Sequence, residues 1–346
     1  RASLLTGLDP HEAGVLTNVD GSSLGKPLSA GKPSLGQVLR NAGYDTAYFG
    51  KWHLSGQSSG LNEYGFSSFT PGADADVSRA AADWIRAHKT PWFAVVSLLN
   101  PHDIYQIPKR LAQIRPRDRV LPPASGLENL EAKPSEQRWF AERDQGSQSR
   151  SFSRQDWRRY RTFYLELVET VDAHLGAVLD ALDLDSTVVV YTSDHGDALG
   201  EHGLPYKGPF MYEPLIRIPL VISAPGILPP GRIRQDLATL ADVAPTLASI
   251  AGVSWPGKVS GRDLTRDDRG PDAVLLEYYA KQKHVNPIRT IRTQHWKLNL
   301  YDRGNRELYD LVEDPHELRN LAGVPAYERL ERALEQRLNA WRKPLI

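Results

Sequence analysis

The 346-residue sequence predicts an α/β fold: a mostly parallel sheet flanked by helices, then a smaller C-terminal subdomain of antiparallel strands and one helix. Three observations predict it. Short β-branched or aromatic runs alternate with helical periodicity through most of the chain, and polar clusters follow several of those runs. After a stretch dense in charge and glycine at 261–271, the spacing changes to that of a small meander. The division falls at 265/266, giving an α/β domain over 1–265 and an α+β subdomain over 266–346.

Ser34 is placed to cap a helix that carries Leu35, Val38, Leu39 and Ala42 at helical spacing and stops at Gly43; 44–49 then reads as a strand. A helix over 76–88 precedes an apolar strand at 92–99. From 104 to 156 the pattern dissolves into proline, serine and charge, a long surface excursion that either shapes a substrate pocket or is simply solvated. Ser153 and Asp156 form a capping-box pattern heading a long amphipathic helix whose stripe includes Phe163, Leu167, Val171, Leu175, Val178 and Leu182. Strands at 187–192 and 218–223 and a helix at 241–251, with Pro245 near its first turn, close the main sheet. Strands this apolar are expected to be buried on both faces. The meander takes 274–278, 290–292, 296–301 and 307–310, and a last helix over 326–341 packs Leu330, Leu334 and Leu338 on one side. No internal repeat is visible.

Lys+Arg and Asp+Glu number 42 each and no region piles up one sign, so a nucleic-acid or anionic-membrane footprint is not expected. The apolar runs fall short of the roughly 18 residues a membrane span needs, and the chain is expected to be soluble. The lack of cysteine excludes disulfides, thiolate metal sites and a cysteine nucleophile within these residues. The sequence opens at Arg1 without Met, so something upstream is expected to be missing or removed; no targeting region is visible and the compartment is left open, as is the oligomeric state.

In open α/β sheets, ligands bind beyond the carboxyl ends of the strands. Three strand ends supply reactive groups here: Lys51, Trp52 and His53; Asn100, Pro101, His102 and Asp103; Asp194 and His195. Lys51 and His53 are two apart, so an extended chain places both on one face while Trp52 packs away. Asp194 and His195 diverge on a regular strand and meet at one ion only if the backbone turns, which Gly196 eases. Asp plus His suits a divalent cation. Singly, each has an ordinary structural reading: Lys51 and Lys207 as solvated cations, His102 as a capping or packing histidine, Asp194 with His195 as an Asx turn, Glu201 and His202 as scaffold. Together they gather positive charge and metal ligands at one sheet edge of a neutral protein, as a tetrahedral oxyanion requires. Sulfate and phosphate esters are the natural candidates.

Four ordered stretches carry a family resemblance: Arg1-Ala2-Ser3-Leu4-Leu5-Thr6-Gly7; Gly43-Tyr44-Asp45-Thr46 with Gly50-Lys51-Trp52-His53-Leu54; Ser193-Asp194-His195-Gly196-Asp197-Ala198-Leu199-Gly200-Glu201-His202-Gly203; and Glu307-Leu308-Tyr309-Asp310-Leu311, followed by Asp314-Pro315 and Asn320-Leu321-Ala322. Over nearly the whole chain they resemble type I, formylglycine-dependent sulfatases of the alkaline phosphatase superfamily. The resemblance implies an alkaline-phosphatase-like fold and a bound Ca2+, with Mn2+ as the alternative. It also implies hydrolysis of a small-molecule or carbohydrate sulfate ester through a formylglycine made from Cys or Ser in the pattern C/S-x-P-S-R. Arg1 matches the final Arg of that pattern, so the nucleophile is expected four residues before Arg1, the first acidic metal ligands also upstream, and the chain as given inactive.

Carried over residue by residue, the resemblance implies that Arg1 orients the formylglycine, while Asp194 and His195 complete the metal shell; many relatives have Asn at the position of His195. Lys51 and Lys207 would pair with the oxyanion oxygens, His53 would hydrogen-bond the formylglycine hydroxyl, and His102 would be the general acid toward the leaving oxygen. One hydroxyl of the aldehyde hydrate would attack sulfur and expel the alcohol; the other would then eject sulfate and restore the aldehyde. A phosphonate monoester or phosphodiester hydrolase uses the same constellation and is the alternative, with a noncatalytic remnant as the third reading. The segments 104–156 and 281–287 are the expected selectors of substrate.

Overall fold

The structure, a computed structural model, describes residues 1–19, 25–55, 61–266, 269–281 and 284–341. In chain order its main elements are α1 (Ala2–Thr6), α2 (Pro10–Ala13), α3 (Leu35–Asn41), β1 (Asp45–Gly50), β2 (Ser68–Thr70), α4 (Asp74–Ala87), β3 (Trp92–Ser97), α5 (Ile107–Arg110), α6 (Ser135–Arg143), α7 (Arg154–Leu179), β4 (Val189–Thr192), α8 (Glu213–Ile216), β5 (Leu220–Ser223), α9 (Val243–Ile250), β6 (Ala273–Lys281), β7 (His284–Thr293), β8 (Trp296–Tyr301), β9 (Arg306–Asp310) and α10 (Glu328–Trp341). The chain divides into two units: Arg1–His102, Leu167–Thr192 and Leu220–Arg269 make the first, and Asp103–Glu166, Ser193–Pro219 and Gly270–Ile346 the second.

In the first unit, Ser34 caps α3 as its position predicts. Its hydroxyl accepts from the Gln37 N–H at 3.3 Å, while Gln37 Oε1 accepts from the Ser34 N–H at 2.9 Å, satisfying two helix-end donors reciprocally. β1 is the middle of a three-stranded parallel sheet ordered β2-β1-β3, with Ala47 opposite both Ser68 and Ala94. Its side chains alternate as a strand demands. Ala47 and Phe49 pack on Val77, Ala81 and Ile85 of α4, whereas Tyr48 turns to Trp52 and Phe66, meeting both edge-on at 5.1 and 5.2 Å between ring centres.

Two expectations fail here. β4 and β5 do not extend the parallel sheet but pair antiparallel with each other, Tyr191 opposite Val221. Burial on both faces holds for β1 alone: β3 is half-buried along its length, and Tyr191 and Val221 remain 38% and 58% exposed. The reason is position, since among the described residues β3, β4 and β5 each have a ladder partner on one side only.

In the second unit, β6 to β9 form the expected antiparallel meander in the order β6-β7-β8-β9. One face carries Ile291, Leu298 and Leu308 against Leu334 and Leu338 of α10. The opposite face presents Lys297, Asn299, Tyr301, Glu307 and Tyr309, and it is buried as well. The segment 104–156 covers much of it, which corrects its reading as a surface excursion: Leu130, Phe140 and Ala141 share a core with Phe210, Tyr212 and Tyr309.

Charge can be buried there because each group is paired and hydrogen-bonded. The Glu307 carboxylate accepts from the hydroxyls of Tyr301 and Tyr309 at 2.6 Å and of Tyr212 at 3.2 Å, and from the amides of Asn299 and Gln137 at 3.1 and 3.2 Å. Lys297, with no exposed side-chain surface, sits 3.1 Å from Glu213 and 2.5 Å from Glu317. The helix α7 begins with the predicted cap, Asp156 N–H donating to Ser153 Oγ at 3.2 Å. Among the described residues no helix is long and apolar enough to cross a membrane.

Candidate active site

The first unit holds Arg1, Lys51, His53 and His102, and the end of β1 organises the first two. Gly50 lies in the left-handed region at φ +87°, and a Cβ there would come within 2.2 Å of the Ser97 carbonyl oxygen, so only glycine lets β1 end this close to β3. Lys51 N–H then donates to that carbonyl at 3.0 Å. Three donors converge on the Lys51 carbonyl: Arg1 Nη1 at 2.8 Å, Ser97 Oγ at 2.9 Å and Tyr48 Oη at 2.8 Å. Arg1 Nη1 also reaches Ser97 Oγ at 2.6 Å. Arg1 is therefore held to the backbone that carries Lys51, at the N-cap of α1.

Trp52 packs away fully buried, as expected, but the premise of an extended chain does not hold. His53 adopts φ +67° and is exposed, so the backbone coils after β1 rather than continuing as a strand. His102 opens a 3₁₀ turn beyond β3 and is also exposed. The backbone before it is fixed by Asp74 in the first turn of α4, whose carboxylate accepts from the N–H groups of Leu99 and Asn100 at 2.6 and 3.0 Å. Ser97 and Asp74 had no signal in the sequence, because each acts through a contact distant along the chain.

The second unit holds Asp194, His195 and Lys207, and there the backbone turn that the two ligands need is present. Asp194 Oδ1 lies 3.7 Å from His195 Nε2. Gly196 is required for a reason other than the one expected: a Cβ would meet the Pro214 carbonyl oxygen at 1.9 Å, and Gly196 N–H donates to the Leu215 carbonyl at 2.8 Å. The imidazole is oriented by its neighbours. Nδ1 faces the Gly196 carbonyl at 2.7 Å, which it satisfies as a donor, and this leaves the Nε2 lone pair to accept from the Lys207 ammonium at 2.7 Å.

Beneath this cluster, Asp197 accepts from Tyr160 Oη at 2.9 and 3.1 Å and from the Leu199 N–H at 2.8 Å. Burial pushes its carboxyl up to about 6, against the opposing pull of those donors and of Lys207. Glu201 and His202 are structural, as their bland reading had it. The Glu201 carboxylate accepts from Arg161 at 2.6 Å and from the Ala124 N–H. His202 lies buried against the Tyr212 ring at 4.2 Å, and burial, reinforced by Lys133 and Lys297, brings its imidazole down to about 3.

Asp194 and His195 offer one oxygen and one nitrogen to a common ion once the Lys207 ammonium gives up the Nε2 lone pair, and such a donor pair fits a divalent cation. Two donors do not complete a shell, and among the described residues no cluster of three or more His, Asp or Glu side chains is gathered to hold a metal.

Comparison with known proteins bears on the whole chain. A profile of the Sulfatase family matches residues 1–253, and one described as N-sulphoglucosamine sulphohydrolase, C-terminal, matches 200–344. The chain is 34% identical over 248 residues to a choline-sulfatase of Rhizobium meliloti (strain 1021), covering 68% of this chain and 47% of that protein. It is 26% identical over 363 residues to a Delta 4,5-hexuronate-2-O-sulfatase of Bacteroides thetaiotaomicron, covering 95% and 75%. The chain thus spans about half the length of the first relative and three quarters of the second. Among solved structures, a 2-O GAG sulfatase superposes with a TM-score of 0.86 at 24% identity, over 99% of this chain and 80% of that one. The phosphonate monoester hydrolase of Agrobacterium radiobacter does so with 0.80 at 23% identity, over 98% and 84%. At such identities the structural likeness speaks for the fold.

Proposed function

Because the chain belongs to the sulfatase family, we propose that it supplies the anion-binding and proton-handling groups of a hydrolase that cleaves sulfate esters. The observation that supports this reading is the Asp194–His195–Lys207 cluster, in which His195 Nε2 lies 3.7 Å from the Asp194 carboxylate and 2.7 Å from the Lys207 ammonium. Such a cluster can meet a non-bridging oxygen of the sulfate group, over which the negative charge is shared, with a charge-assisted donor, a contact worth about 1.5–3 kcal/mol.

In this reading Lys207 donates to a non-bridging oxygen of the sulfate group, and the family resemblance assigns a contact of the same kind to Lys51. Arg1, which donates directly to the Lys51 carbonyl and to Ser97 Oγ, would orient a formylglycine, the role that the resemblance implies for it. His102 gives its proton to the ester oxygen as the alcohol departs, and His53 takes a proton in the return half of the cycle. A divalent cation, Ca2+ or alternatively Mn2+, held by Asp194 and His195 with further oxygen donors, would withdraw electron density from the sulfuryl group. The alcohol is a small molecule or a carbohydrate.

Parallel assays of the full-length protein on 4-nitrophenyl sulfate and on an aryl phosphonate monoester test the proposal. Faster sulfate turnover is expected, and a dominant phosphonate rate would overturn it. Polypeptide beginning at Arg1 is expected to turn over neither ester.

A further inference from the structure

Lys207 carries its ammonium on a flexible four-carbon stem, so the charge is held at one point only if the backbone beneath it is fixed. That backbone is unusual. Tyr206, the residue before it, lies in the left-handed region at φ +60°, a conformation that a bulky residue keeps only where its neighbours impose it. Two phenols from elsewhere in the second unit do so. Tyr160 of α7, with no exposed surface, accepts from the Tyr206 N–H at 3.0 Å, and the Tyr105 hydroxyl accepts from the N–H of Lys207 itself. The Tyr105 ring also stacks on the Tyr206 ring at 4.2 Å.

Tyr160 does a second thing. Its hydroxyl donates to the Asp197 carboxylate, 2.9 and 3.1 Å from the two oxygens, so its one proton and an accepting lone pair are both engaged. Asp197 stands two residues after His195, and Tyr206 directly before Lys207. One phenol therefore joins the two ends of the loop 197–206, beside the bond from Ala198 N–H to the Tyr206 carbonyl at 2.8 Å. The span of that loop sets where the ammonium stands relative to the imidazole, 2.7 Å from Nζ to Nε2. Enclosed as it is, Tyr160 cannot touch a substrate, and any effect it has on the reaction passes through the groups it holds. The segment 104–156 thus supplies Tyr105 to this arrangement; of the other expected selector, 281–287, Gln282 and Lys283 lie outside the described residues.

We propose that Tyr160 and Tyr105 are positioning residues, which hold Tyr206 in its left-handed conformation and so aim the Lys207 ammonium at the anion. The role of Lys207 rests on the hydrolase reading, whereas the clamp stands on the geometry of the three tyrosines.

Hydrolysis of 4-nitrophenyl sulfate by the full-length protein tests this in wild type, Tyr160→Phe, Tyr105→Phe, Lys207→Ala and each tyrosine variant combined with Lys207→Ala, at matched folded concentration. Tyr160→Phe is expected to lower kcat about 10- to 100-fold with KM little moved, since a donor misplaced by about 1 Å fails chiefly at the transition state. Tyr105→Phe keeps the ring stack and should lose less; it carries the test if Tyr160→Phe does not fold. In the Lys207→Ala background neither substitution should lower kcat further. Wild-type kcat in the folded variants would overturn the proposal by making the phenols scaffold. The same factor lost again without Lys207 would overturn it by placing their effect elsewhere. In crystals of the folded variant, Tyr206 should leave positive φ and the Lys207 ammonium should move by about 1 Å or more. An unmoved ammonium would overturn the clamp whatever Lys207 does. Lys207→Ala by itself decides the hydrolase reading, so the two failures are distinguishable.

Discussion

Two stretches of the second unit, 193–207 and 297–320, are alike in sequence: both are rich in charge, and both contain motifs that carry the family resemblance. Their physical states differ. Lys297, opposite Tyr309 in the sheet, is wholly buried between the carboxylates of Glu213 and Glu317, and Glu307 is saturated by donors. Lys207 is half-buried; it donates to His195 Nε2 at 2.7 Å, and its charge also acts on Asp197. Charge enclosed wholly inside the protein holds the fold, whereas a half-buried cation with surface left to solvent can still meet an anion. The second kind is where chemistry is to be sought, and a motif by itself does not say which kind it is.

Breaking the buried cluster should give the largest effect. Lys297→Met leaves Glu213 and Glu317 without their shared cation and is expected to destabilise the fold by about 3–5 kcal/mol, read from denaturant unfolding. A loss near zero would show that this buried pairing does not hold the fold.

A smaller effect comes from pH. Burial pushes the Glu317 carboxyl up from 4.5 to about 6 despite Lys297, so the folded state holds that proton more tightly than the unfolded chain. Stability contributed by this group is therefore lost as pH rises from about 4.5 to about 6, by about 2 kcal/mol, and Glu317→Gln should flatten that part of the profile. A slope that persists in the variant would assign it to another group.

The smallest expected change is at Asn320. Its amide oxygen accepts from the N–H groups of Leu308 and Ala322 at 3.0 Å, and its nitrogen donates to the Arg306 carbonyl at 2.9 Å. Asn320→Ala should destabilise by about 1 kcal/mol while leaving turnover per folded molecule unaltered. A selective loss of turnover would move the 307–320 motif from scaffold to site.

What could be read from the sequence was local. The Ser34 and Ser153 caps, the alternation of β1 and the meander with Leu298 and Leu308 on one face all follow from neighbours a few residues apart. The approach of Asp194 and His195 was legible as a requirement, with Gly196 beside them, although the steric need for that glycine arises at Pro214. The burial of 104–156 was not legible, because Lys133, Glu136 and Gln137 enter the interior as members of a polar network and leave no hydrophobic period. Nor were Ser97 and Asp74, whose bonds span 46 and 25 residues. The edge positions of β3 and β4 depend on sheet order, which apolar runs do not encode.

The central claim, that the half-buried cation beside His195 serves a sulfate ester, is tested most directly by one measurement: the rate of 4-nitrophenyl sulfate hydrolysis by full-length wild-type and Lys207→Ala protein of matched folded concentration. Removing one donor to a developing oxyanion should lower kcat by about 10²–10³ while the unfolding midpoint moves little. Equal rates for the two proteins would contradict the claim.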